Sequence, residues 1–261
     1  ISFEVLEEML TEYTSVTKNE EAMKRIAYVC DQYLIDHLEE KLDHRRWSLR
    51  MNTLYRIEDF KLGYFEQKLW AMYRSKPESN EEQHQILRTL ASLQSKSLEK
   101  YLIKDKHKLP FFLYMEVMRR FNDEPFARFV EQFQFLNKDL QAAIIVLMGE
   151  KGDVQYVPFL EEQLSSDDIE IRLKALKGLV HIGYISNKDR ILPFSASFIF
   201  QERLMFTKLA AVVLKDSYKP ILVQMLSDSN WWVRNGAGEA LTKYEDGSLI
   251  LSHVLESHED P

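Results

Sequence analysis

The chain has 261 residues, of which 45% are hydrophobic, 12% aromatic and 29% charged, and its formal net charge at pH 7 is -7. This composition is typical of a globular protein with a packed core and a charged surface. The acidic balance argues against a dedicated nucleic-acid-binding protein, since such proteins usually carry a basic domain. No apolar stretch of the sequence approaches the roughly 20 residues of a membrane-spanning helix, and no signal peptide is evident.

A single cysteine, Cys30, lies in a stretch with helical apolar spacing and is expected to be a small buried apolar residue. One cysteine forms neither an internal disulfide nor a cysteine zinc cluster, which fits a reducing compartment, expected to be the cytoplasm. The sequence begins at Ile1 and opens directly in an amphipathic stretch. We therefore expect a piece of a longer protein, in which membrane association would depend on a segment outside this sequence.

Helices are predicted along the whole chain, because apolar residues recur at steps of three and four. Glycine and proline are scarce, at 8 and 7 residues, and runs that alternate apolar with polar residues, as strands do, are missing. Residues 1–39 show no repeated pattern and are predicted to form an N-terminal helical cap. Residues 40–136 are predicted to carry divergent repeats, and residues 137–261 clearer ones, the last of them incomplete.

Prolines mark one series of equivalent positions in the predicted repeats. Four prolines are each followed by an apolar residue, and they are predicted to stand in the first turns of equivalent helices. Proline is tolerated there because its missing N–H has no partner within the helix. These residues are Pro125, Pro158, Pro193 and Pro220.

A second series aligns residues 169–179, IEIRLKALKGL, with residues 231–241, WWVRNGAGEAL. The two segments are two repeat units apart, and Gly152 and Gly183 are one unit apart. We call the sequence separation of these two glycines the repeat interval.

This second series places an arginine near the start of one helix in several of the units. Arginines at this position are predicted to be structural and to satisfy carbonyls or a carboxylate of a neighbouring turn. They are Arg50, Arg88, Arg172 and Arg234. Thr207 and Gln141 are aligned with the arginine in two other units.

The second series resembles bacterial HEAT repeats, in which the second helix of a unit opens with Asp, then Val-Arg, an alanine pair and a leucine. The resemblance is good over residues 137–255, fair over 40–136 and absent over 1–39. It implies an all-α fold, a right-handed α-α superhelix or HEAT-repeat solenoid, and says little about function. Because helix pairs bury their apolar faces only when stacked, roughly six or seven units are predicted from about residue 40 onward.

A solenoid presents a long groove that suits an extended peptide or another domain. We therefore expect a non-enzymatic scaffold whose partner is another protein or an extended peptide. Its contacts are predicted beside the buried stripe of the second helices, with two tryptophans that pack across a junction between units and serve as aromatic anchors. The predicted contact residues are Lys174, Lys177, Lys208, Trp231, Trp232 and Asn235.

The alternative function is a nucleic-acid-binding HEAT-like protein, with or without DNA glycosylase activity. It requires basic residues of three stretches to share one face, where they would contact phosphates. These residues are Arg45, Arg46, Arg50, Lys104, Lys106 and Arg119. A third hypothesis, an enzyme that modifies a partner protein, has no specific residue in its favour. No catalytic residue, cofactor or metal site is predicted, because HExxH, GxSxG and P-loop motifs do not occur.

Overall fold

The computed structural model describes residues 2–17, 19–75, 77, 79–104 and 109–257, apart from the side chain of Ser257. Every regular element in these ranges is a helix, which confirms the predicted all-α class. None of the helices in them is both long enough and apolar enough to cross a membrane.

The chain forms two compact units, residues 1–140 and 141–261. The first contains α1 Phe3–Val16, α2 Glu20–Tyr33, α3 Ile35–Leu42, α4 Trp47–Phe60, α5 Glu66–Arg74, α6 Asn80–Ser92, α7 Lys96–Lys104, α8 Phe111–Met118 and α9 Asp123–Glu131. The boundary falls within α10, Lys138–Lys151. The second contains α11 Val157–Gln163, α12 Ile169–Ile182, α13 Leu192–Ser195, α14 Phe200–Val213, α15 Lys219–Met225, α16 Trp231–Leu241 and α17 Gly247–Ser257. The finer division predicted from the sequence, with a cap over residues 1–39, stays a prediction.

Short 3-10 helices connect several of these elements. They cover Gly63–Phe65, Phe133–Phe135, Val154–Tyr156, Lys188–Ile191 and Asp216–Tyr218. Three of them lead into the short helices α11, α13 and α15.

The N-terminal helices of the first unit pack onto α4. Both α1 and α2 contact α4, and α2 also contacts α3. Ser2 and Asn19 cap α1 and α2, because their side-chain oxygens accept hydrogen bonds from backbone N–H groups of the first turn. Cys30 is fully buried in α2, and this burial raises the pKa of its thiol to about 12. The predicted role of Cys30 as a core residue is confirmed.

The remainder of the first unit is organised around α6. This helix packs against α4 on one side and α8 on the other, and it also contacts α5. Its inner residues Ile86, Leu87 and Leu90 are completely or almost completely buried. α6 is therefore the central element of this unit.

The second unit repeats one arrangement three times. A short helix, α11, α13 or α15, packs on the longer helix that follows it, and α14 contacts both of the other long helices, α12 and α16. The short helices carry Pro158, Pro193 and Pro220 in their first turns, as the sequence predicted. Pro125 differs slightly, because it is the third residue of α9 and is buried.

The long helices of the second unit follow the repeat interval. They begin at Ile169, Phe200 and Trp231, which are separated by one interval each. The residue that follows α12 is Gly183, with φ 75°, and the residue that follows α14 is Leu214, with φ 48°, again one interval apart. A residue in the left-handed backbone conformation ends the helix, because it turns the chain away from the helix axis. The interval predicted from the sequence is thus confirmed in this part of the chain.

Small residues allow α14 and α16 to approach closely. A Cβ atom at Gly236 would lie 2.4 Å from Oγ1 of Thr207 and 3.1 Å from Cδ1 of Leu204. The first distance is shorter than nonbonded atoms tolerate, and Thr207 is fully buried. At Gly238 a Cβ atom would meet only Cδ2 of Leu226, at 3.8 Å, an ordinary contact. Gly236, and not Gly238, therefore sets the spacing of the two helices.

We expect Gly236→Ala and Gly238→Ala to change stability in opposite directions. Both substitutions gain roughly 1 kcal/mol of helix propensity, but only the methyl group at position 236 overpacks the interface, at a cost of about 1–3 kcal/mol. Urea unfolding of the two variants should therefore show Gly238→Ala as the more stable, by about the overpacking cost. Equal stability would contradict the close packing described here.

Candidate interaction surface

The helices α12, α14 and α16 each carry an arginine as their fourth residue. The Nη1 atom of this arginine donates a hydrogen bond to a backbone carbonyl oxygen in the turn that precedes the helix. The bonds run from Arg172 to Ser166 at 2.7 Å, from Arg203 to Ser197 at 2.7 Å and from Arg234 to Asp228 at 2.8 Å. Each guanidinium thus closes the turn that leads into its own helix.

Two of these arginines also reach a carboxylate of the following helix pair. Nε of Arg172 lies 2.8 Å from Oε1 of Glu202, and Nε and Nη2 of Arg203 donate to both oxygens of Asp228, at 2.7 and 2.8 Å. Glu202 lies in the first turn of α14, and Asp228 lies in the turn before α16. The starts of the three long helices therefore lie side by side. We call residues 164–172, 196–203 and 227–234 the head edge.

In the first unit, an arginine at the start of α4 makes the same two kinds of contact. Arg50 is the fourth residue of that helix, and its Nη1 donates to the carbonyl of His44 at 2.9 Å. Its Nε and Nη2 donate to the buried carboxylate of Glu82 at 2.6 and 2.8 Å. Gln83 takes the equivalent place in α6 and donates to the carbonyl of Pro77 at 2.9 Å. Arg50 thus contacts a turn carbonyl and a carboxylate, the kinds of partner that the sequence predicted for it.

Two alignments predicted from the sequence differ from the positions that the contacts give, by four residues at Thr207 and by five at Arg88. Arg203, not Thr207, is equivalent to Arg172, since it makes the same pair of contacts. Arg88 is the ninth residue of α6 and pairs with Glu116 of α8 at 2.6 Å, so it braces the first unit without occupying the repeated position. Arg203 and Thr207 lie about one turn apart on the same helix face, so apolar spacing alone does not distinguish these two registers.

Four of the predicted contact residues lie along the outer side of the three long helices. Lys177 and Lys208 occupy equivalent exposed positions of α12 and α14, and within the described ranges neither has an ion-pair partner. Nζ of Lys174 pairs with Glu170 at 3.1 Å. Packed helices lie roughly 8–10 Å apart, so the two unpaired ammonium groups stand on neighbouring helices of one surface.

Asn235 continues this surface on α16. Its Nδ2 donates to Oε1 of Glu239 at 2.8 Å, and Glu239 follows Lys208 by one repeat interval. The exposed row therefore reads lysine, lysine, glutamate across the three helices.

The tryptophan pair stands at the head edge. Trp231 and Trp232 are the first two residues of α16, and Asn230 caps the helix by accepting a hydrogen bond from the N–H of Trp232. The two rings contact each other edge to face, with centroids 4.7 Å apart. They are 55% and 59% exposed, so more than half of each side chain is open to solvent, and packing across a junction between units stays a prediction. Both rings are available to a partner.

The basic residues of the alternative function that the structure describes fall in the first unit. Arg45 and Arg46 are exposed in the turn before α4, whereas Arg50 is held by Glu82. Lys104 is exposed at the end of α7, and Arg119 has a partner of its own. Lys106 lies outside the described residues. Because its guanidinium already pairs with Glu82, Arg50 is not a free phosphate ligand.

Charged side chains also cluster around Glu7 of α1. Its carboxylate lies 2.7 Å from Nζ of Lys41, 3.3 Å from Nε2 of His37 and 3.9 Å from Nε of Arg56. This cluster fastens α1 to α3 and α4. In the part of the chain that the structure describes, no group of three His, Cys, Asp or Glu side chains is placed to hold a metal ion.

We expect the pair of Arg203 and Asp228 to make stability depend on acid pH. Hydrogen bonds from Arg203 hold the pKa of Asp228 below its ordinary value of 3.8. A depressed pKa in the folded state stabilises the fold above the unfolded-state pKa, and this contribution is lost as pH falls through the folded-state pKa. Asp228→Asn should therefore cost about 1–3 kcal/mol at pH 7 and progressively less below pH 3.8.

Urea unfolding of the wild type and Asp228→Asn at neutral and acid pH measures this difference. Asp167→Asn is the matched control, because Asp167 is an exposed aspartate in the turn before α12. The control should lower stability little at either pH. A cost of Asp228→Asn that stays constant with pH would contradict the assigned ion pair.

Comparison with known proteins leaves the HEAT-repeat resemblance as a prediction. No protein-family model matches the chain, and no curated protein matches it.

Proposed function

We propose that the chain is a non-enzymatic scaffold that binds another protein or an extended peptide through its second unit. The exposed pair of Trp231 and Trp232 is the observation that carries this proposal. Tryptophan is among the residues most enriched at the energetic centres of protein interfaces. Two adjacent rings that contribute little to the core of their own unit are costly to leave in water unless a partner covers them.

The arrangement of the second unit supports a repeat scaffold. Three helix pairs that follow one repeat interval, joined through Arg172 and Arg203, are what a right-handed HEAT-repeat solenoid of bacterial type requires. We propose that architecture for the chain. Stacked pairs present a row of equivalent positions along one surface, and Lys177, Lys208 and Glu239 lie along such a row here.

We further propose a cytoplasmic location, supported by the single buried thiol of Cys30. Association with a membrane would require a segment outside this sequence. The nucleic-acid alternative has less support, because Arg50 is already held by Glu82.

Affinity capture from a lysate of the source cells tests the scaffold, with the wild-type chain and Trp231→Ala/Trp232→Ala as baits. The control bait is Tyr28→Ala/Tyr33→Ala, since these two α2 rings are 66% and 64% exposed. We expect a discrete protein that the wild type and the control retain. The tryptophan variant should lose it by about tenfold or more, as hot-spot residues do.

A parallel arm with nuclease separates the two functions. A partner that survives nuclease supports the scaffold, and recovery of nucleic acid, or of partners that vanish with nuclease, supports the alternative. Undiminished capture by the tryptophan variant would show that these rings are not the contact.

A further inference from the structure

A groove opens on the head edge between the starts of α12 and α14. Its volume is about 570 Å³, within the range of roughly 300–1,000 Å³ that is usual for ligand clefts. More of its lining surface is apolar than polar. The walls include Leu164, Pro193, Phe194, Phe198 and Arg190.

Phe198 forms an apolar wall that the fold does not need. It lies in the short turn between α13 and α14, and its side chain is fully exposed. A phenyl ring loses roughly 1.5–3 kcal/mol of favourable burial when it remains in water. Nearby, Phe194 is buried and forms part of the groove lining. The groove thus combines a fixed apolar base with an open aromatic rim.

Arg190 supplies a guanidinium group with unused donors. Its Nη1 donates to the carbonyl of Glu161 at 2.8 Å, and within the described ranges no carboxylate pairs with it. Arg172 and Arg203 differ, since each is held by both a carbonyl and a carboxylate. A guanidinium has five N–H donors, so Arg190 retains a fork suited to an incoming carboxylate.

The carboxylate that lines the same groove is already neutralised. Glu202 accepts hydrogen bonds from Nε of Arg172 at 2.8 Å and from Oγ of Ser197 at 2.5 Å. Among the charged groups that line the groove, one positive charge therefore remains uncompensated, that of Arg190. This local positive charge stands out in a chain whose net charge is -7.

We infer that this groove binds an extended peptide segment of the partner in which a carboxylate side chain stands beside an apolar one. The carboxylate pairs with Arg190 as a bidentate ligand, and the apolar side chain packs between Phe198 and Pro193. This inference rests on the proposed function, because it names the chemistry of the segment that the scaffold recognises.

Fluorescence anisotropy with short labelled peptides tests it. The probes are four acetylated peptides whose central residue is Glu or Gln, flanked on both sides by Leu or by Ser. The peptide with Glu and Leu should bind best, and replacing Glu by Gln or Leu by Ser should each weaken binding by about tenfold, the usual worth of one charge-assisted contact or one buried side chain.

Variants of the chain assign each preference to a residue. Arg190→Gln should abolish the preference for Glu over Gln, and Phe198→Ser should abolish the preference for Leu over Ser. Phe198→Ser should keep the melting temperature of the wild type, because the ring is fully exposed. Lys188→Gln is the matched control, since Lys188 is a neighbouring exposed cation outside the groove lining, and it should change neither preference.

Several outcomes would overturn the inference. These are equal binding of the Glu and Gln peptides, a Glu preference that persists in Arg190→Gln, and displacement of the best peptide by a short oligonucleotide at the same concentration. Absence of binding by all four peptides would also overturn it. In that case capture of a protein through Trp231 and Trp232 would still leave the scaffold function standing, so the two proposals fail separately.

Discussion

The arginine at the fourth position of a long helix is the contact on which the second unit depends. A helix pair of this length exposes an apolar face that must be covered by the next pair, and nothing in apolar packing alone fixes where the next pair begins. The guanidinium does so, because its planar fork holds the preceding carbonyl and a neighbouring carboxylate at the same time. Arg203 is the clearest case, since it holds Ser197 behind it and Asp228 ahead of it.

This contact is partly buried, and its burial determines how much it contributes to the stability of the fold. An exposed ion pair contributes little, whereas a charge buried without its partner is costly. Glu82 and Glu202 are almost completely buried, so each depends on its arginine for a partner of opposite charge inside the protein. These arginine–carboxylate pairs therefore contribute little net stability. Their main effect is to determine which helix starts pack next to each other.

Much of the fold could be predicted from the sequence, since helical spacing, prolines and the repeat interval are visible in one dimension. The arginine register was harder, because Thr207 and Arg203 differ by one turn and both preserve the apolar stripe. The exposure of Trp231 and Trp232 was not predictable from their type, since tryptophan is highly buried on average. The unpaired guanidinium of Arg190 could not be predicted from the sequence either. Whether an arginine has a carboxylate partner depends on which side chains two separate turns place in the same groove.

The repeat interval also bears on how such a chain can change its length. One residue added within a long helix rotates everything after it by about 100°, which would carry a buried stripe to the surface and an arginine away from its carboxylate. A block of one whole interval can instead be removed or duplicated between equivalent points such as Gly183 and Leu214. Such a change keeps the same helix face buried, the same left-handed residue after the helix and the same arginine–carboxylate pair. Whole-unit duplication and deletion are therefore the changes of length that keep these contacts, and they would lengthen or shorten the row of equivalent exposed positions without changing the packing of the core.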